Sequence, residues 1–200
     1  MGRPGVRRLL WLLFGLVLLV IVGTLIYGRQ VGPAASPAAG MAPQTVTARQ
    51  ALAPAAELAG QWREDARLAA VSARWPAAQV QEGSQVEWAF QFFSPSTQRL
   101  ALIVVAGGKA RLVRESLSPY PVSTFSPAEW RVDSDRALQV WWNRGGKDLV
   151  ARRPDADLAM QLRMPDGGDG QPLWTAVGSL AGTEAIVIVT VNATTGVLVE

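Results

Sequence analysis

The chain repeats itself, and that repeat limits its fold more than any single segment does. Residues 100–113, LALIVVAGGKARLV, fall on 186–199, IVIVTVNATTGVLV, at an offset of 86, and the same offset carries Gln85 and Trp88 onto Gln171 and Trp174. Upstream, DARLA (65–69) matches DADLA (155–159) at an offset of 90, and Leu58 and Trp62 match Leu138 and Trp142 at an offset of 80. The blocks keep their order in both copies. The offsets change where connections are expected, which is what duplication followed by drift leaves. Two copies are therefore expected, 51–117 and 133–200, joined by a connector at 118–132.

The second copy settles an ambiguity in the first. Taken alone, residues 55–70 suit one long helix, with Leu58, Trp62, Ala66 and Ala69 on one face. In the second copy, however, Leu158, Met160, Leu162 and Met164 alternate with Ala159, Gln161 and Arg163, the period of a half-buried strand. By analogy 66–74 is a strand, and the first helix ends near Glu64. Each copy then reads as a helix, three strands, a turn and a short strand. Asp133 or Ser134 is placed to cap the second helix, which carries Ala137, Leu138, Trp141 and Trp142 and ends at Gly145 and Gly146. The run DGGDG (166–170) is expected as a hairpin loop and ATTG (193–196) as the turn between the last two strands. In the connector, Ser126 and Glu129 stand at capping-box spacing with Pro127 between them, marking about one helical turn.

Residues 9–27, LLWLLFGLVLLVIVGTLIY, carry no charge. As a helix at about 1.5 Å per residue they span roughly 28 Å, close to the hydrocarbon thickness of a bilayer. Arg3, Arg7 and Arg8 precede the run and only Arg29 follows closely, so the positive-inside rule places residues 1–8 in the cytoplasm and 28–200 outside. The alternative reading is a cleaved signal peptide, cut among the small residues around Ala38, although the run exceeds the usual signal core of about 7–15 residues. Residues 28–50 begin with a Pro/Ala/Gly-rich tract that offers little apolar surface, and are expected as a stalk.

Composition excludes most familiar chemistry. There is no Cys and no His, hence no disulfide, thiol nucleophile, Cys/His zinc site, His-based triad or lipidated cysteine. The net charge of +3 arises in the first 30 residues, and residues 31–200 carry 15 cations against 16 acids, so nucleic acid is not an expected partner. Asp166 and Asp169 lack the ligand spacing of a calcium loop, and Asp133/Asp135 and Asp155/Asp157 read as caps and solvated edges. No catalytic residue, cofactor site or metal site is expected. Trp62, Trp88 and Trp174 occupy repeat-equivalent places and are expected in the core. Trp141 and Trp142 are adjacent on a helix and point about 100° apart, so one of them is a candidate partner-binding residue.

The closing segment VTVNATTGVLVE (189–200), an apolar strand, a Thr-Gly turn and a second strand, resembles the last hairpin of the PepSY domain. The segment DSDRALQVWWNRGGKDL (133–149) is similar to the helix that opens such domains, so the resemblance covers about 133–200. It implies a cystatin-like shape, a place outside the cytoplasm and a role in binding or restraining peptidases, without a universal catalytic residue. The expected fold class is therefore α+β: an N-terminal transmembrane helix followed by two tandem cystatin/PepSY-like units, each a helix packed on a small antiparallel sheet. The expected function is that of a non-enzymatic, single-pass, membrane-anchored extracytoplasmic binding protein of a bacterial envelope, whose partner is a protein or peptide. The alternative is a structural or assembly subunit of a membrane complex.

Overall fold

Thr47 starts the first helix by a reciprocal cap: its hydroxyl accepts the Gln50 amide, and the Gln50 side chain accepts the Thr47 N–H. Helix α1 (Ala48–Trp62) follows, burying the small residues Ala48, Ala51, Ala55 and Ala59 so that its axis lies close over the sheet. The structure, a computed structural model, describes residues 46–80, 86–167, 170–180 and 186–199. The segments expected as cytoplasmic tail (1–8) and transmembrane helix (9–27), and the stalk up to residue 45, lie outside those residues. Among the described residues no helix is long and apolar enough to cross a membrane.

Four strands follow α1: β1 (Arg67–Pro76), β2 (Trp88–Ser94), β3 (Arg99–Ala106) and β4 (Lys109–Leu117). The second half opens with α2 (Ser134–Trp141), a wide π-type turn at Trp142–Gly146 and α3 (Lys147–Arg152). The strands β5 (Asp157–Arg163), β6 (Leu173–Ser179), β7 (Ile186–Asn192) and β8 (Leu198–Val199) complete it. Gly145 and Gly146 do not end the helix, as their sequence suggested. Gly145 adopts φ +122°, which a side chain would resist, and the helical path resumes at Lys147.

The expectation of two tandem cystatin/PepSY-like units, each with its own small sheet, is corrected by the strand pairing. One eight-stranded antiparallel sheet forms, in the order β4-β3-β2-β1-β5-β6-β7-β8. The physical reason lies in β1 and β5. Each is the first strand of its half and would otherwise be an open edge beside a strongly apolar face made by Val71, Ala73, Trp75, Leu158, Met160 and Leu162. They pair with each other instead, from Ala70 opposite Arg163 to Pro76 opposite Asp157. A bulge between Leu68 and Ala70 inserts one residue in β1, so beyond it Val71 is equivalent to Met160 and Ala73 to Leu162. A pseudo-twofold axis then passes through the paired Ser72 and Gln161.

That axis puts both helical segments on one face, over a single core. Repeat-equivalent Trp88 and Trp174 meet edge to face at 6.2 Å, with Trp75 and Trp130 extending the row at 6.3 and 5.8 Å. The Val132 carbonyl accepts the indole N–H of both Trp130 and Trp174, each at 2.8 Å. The end of the connector is thereby fixed in the seam. The starts of α1 and α2 also meet: Ser134 Oγ accepts the Ala48 amide, and Asp133 Oδ1 accepts the amides of Ser134 and Arg49. One carboxylate thus faces the positive ends of two helices.

Candidate binding edge

The two tryptophans singled out by sequence are placed differently. Trp141 is fully buried; its ring lies against Gly146 and Gly178, and its indole N–H donates to the Val187 carbonyl at 3.1 Å. It has no surface to offer. Trp142 is half-buried at the rim of the core, 6.3 Å from the Trp141 ring, and keeps some exposed area. The acidic pairs are structural in their contacts: Asp133 caps, Asp157 pairs with Arg74 at 2.6 Å, and Asp155 and Asp166 pair with Arg153 and Arg163. Among the described residues no group of three or more His, Cys, Asp or Glu side chains is placed to hold a metal ion.

A polar cluster sits where β2 turns into β3. Ser94, fully buried, donates its hydroxyl to Asp65 at 2.7 Å, the Ser96 amide donates to the same carboxylate at 2.8 Å, and Thr97 donates to Ser94. These donors, Ser94 first, lower the Asp65 pKa from the usual 3.8 to about 2. The cluster holds the turn between β2 and β3. Between α1 and the connector runs an apolar groove of about 460 Å³, lined by Leu52, Ala56, Phe92 and Phe125 among others, with Arg67 its one charged side chain.

The two outer edges of the sheet differ sharply. The β4 edge carries Lys109, Arg111 and Arg114, all exposed, and a bulge between its pairings with Leu102 and Ile103. Charges and bulges are what keep an edge strand from adding another chain. The opposite edge has neither. Residues 186–199 contain no charged side chain, and β8 pairs only with Thr190 and Val191 of β7. Asn192 donates its N–H to Val197 and accepts from Gly196, so its backbone groups point away from β6. Alternation along an antiparallel strand gives Thr190, Ile188 and Ile186 the same direction. The N–H and C=O of Ile186 and Ile188 therefore face an edge on which no strand pairs among the described residues. Their side chains are 53% and 61% exposed on the face opposite the helices.

Sequence reasoning did not single out this strand. The signal was present in the uninterrupted apolar run IVIV (186–189), which lacks the alternation of a strand that is polar on one face.

No family model matches the chain, and no curated protein matches it. Among solved structures, that of a "putative lipoprotein" from Clostridium difficile 630 superposes with a TM-score of 0.49 at 7% identity, covering 78% of this chain and 92% of that one. A likeness at that level carries nothing about function.

Proposed function

We propose that the protein is a membrane-tethered binding protein of a bacterial envelope, which captures an extended segment of a protein or peptide by adding it as a strand at the outer edge of β7. The observation that carries this reading is the pairing of open backbone groups with exposed apolar side chains at Ile186 and Ile188, on a sheet whose other edge is charged and bulged. Main-chain hydrogen bonds to an added strand supply affinity, and the alternating side chains beside Ile186 and Ile188 supply selectivity for β-branched or aromatic residues. The Trp141 indole bond to Val187 and its packing on Gly178 hold β7 from the helical side, so the edge is stiff before a partner arrives. The apolar run at 9–27 supports the tether.

A photo-crosslinking residue at position 186 of the full chain, in intact cells, tests this. A discrete adduct is expected, and it is expected to vanish when Ile188→Pro removes an outward N–H. Position 188 bonds toward the open edge, so that change leaves the β6 pairing in place. Adducts at 186 no stronger than those from a label at exposed Gln139, or unaffected by the proline, would sink the reading.

A further inference from the structure

We propose that the β4 edge is a docking surface for the anionic headgroups of a lipid bilayer, and that it lays the sheet edge-on against the membrane. The proposal rests on the tether read at residues 9–27 and extends it.

Three observations favour this occupant. Lys109, Arg111 and Arg114 pair across β4 with Ala106, Val104 and Leu102, so they share the face opposite the helices, and none joins an ion pair among the described residues. The strand's one acid, Glu115, is already engaged by Arg99 at 2.6 Å and Arg63 at 3.6 Å, so the edge presents positive charge without a carboxylate to offset it. On the other side of the same strand Leu112 and Leu117 are 42% and 68% exposed, and Tyr120 follows at 60%. Cations with apolar and tyrosyl neighbours suit the interfacial layer of a bilayer, where charged heads meet phosphate while apolar groups reach the acyl boundary.

An edge-on approach is the one that uses both sides of β4 together. Docked this way, the sheet holds β7 six strands away, about 29 Å from the lipid at about 4.8 Å per strand. The capture edge then faces the envelope and not the membrane.

The absence of native cysteine allows one spin label at a time, so Leu112→Cys and Leu18→Cys can each be labelled in the full chain. The protein is reconstituted into nanodiscs of phosphatidylcholine alone or with 30% phosphatidylglycerol added. The label at 112 is expected to become accessible to oxygen and shielded from a water-soluble relaxant only in the anionic discs. Each cation near such a surface is worth about fivefold in partitioning, so replacing Lys109, Arg111 and Arg114 together by Gln should weaken the response about a hundredfold. Equal accessibility at 112 in both lipids would overturn the proposal, as would an equal response to soluble poly-glutamate, which would mark an acidic protein as the partner. If the label at 18 stays in water, the tether reading fails by itself. Vesicles with 30% phosphatidylglycerol added to the same chain then decide the β4 edge, a response at 112 keeping the proposal and its absence overturning it.

Discussion

Asp65 and Gly178 show how single positions hold this structure. The Asp65 carboxylate is held by Ser94 and Ser96 at a pKa of about 2, below the unfolded value of 3.8. A group depressed on folding stabilises the protein above its unfolded pKa, and that contribution fades as pH falls from about 4 through about 2. The urea midpoint of the native chain should therefore exceed that of Asp65→Asn by a constant amount above pH 5, and the two should converge towards pH 2. A gap that persists at pH 2 would show that the stabilisation is not tied to the ionised carboxylate. Gly178 lies where a Cβ would stand 2.4 Å from Trp141 Cζ2 and 2.7 Å from Leu149 Cδ2. Overpacking of this kind costs about 1–3 kcal/mol, so Gly178→Ala should lower the urea midpoint. Adding Trp141→Phe should bring a loss smaller than the sum of the two single changes, because the smaller ring relieves the clash. Additive losses would mean that the clash is absorbed elsewhere.

At the scale of elements, what sequence could reach depended on how local the cause was. The turn at 193–196 and the alternation of β5 are set by neighbours in the chain, and spacing alone located them, while it narrowed the second helix cap to Asp133 or Ser134, of which Asp133 caps. The Ser126–Glu129 cap also forms, with the Ser126 amide donating to the Glu129 carboxylate at 2.7 Å, but it closes a single turn and starts no helix. The glycine pair at 145 and 146 misled for a reason visible only in space. Gly146 sits against the Trp141 ring, where a Cβ would approach to 2.4 Å, so these residues admit a tryptophan and do not stop a helix. Trp141 and Trp142 looked alike in sequence, yet which of two adjacent rings is buried depends on the sheet beneath the helix. Ile186 and Ile188 were legible as apolar residues and not as an edge, because being an edge is a property of what lies beside a strand.

The whole molecule is governed by the seam between β1 and β5. If those strands pair because each is an apolar edge, the first half alone has an unsatisfied edge at β1. A chain of residues 46–132 is therefore expected to dimerise through β1 about the same twofold geometry, or to aggregate, when examined by light scattering after gel filtration. Ala73→Pro, which removes an N–H that bonds across that edge, should return the soluble form towards monomer. A fragment that is monomeric at high micromolar concentration would show that the seam is not what completes each half.

By itself the sequence determined the repeat, the order of helix and strands within each copy, the absence of cysteine and histidine chemistry, and the large aromatic content of the core. All of these follow from residue identity and local periodicity. Only the tertiary structure decided that the two copies share one sheet, that Trp88 and Trp174 meet across its middle, and that one outer edge is charged while at the other no strand among the described residues pairs with Ile186 and Ile188. Strand pairing between distant segments is a long-range choice. It is made by which edges would otherwise remain unpaired, and no local pattern in the chain records that competition.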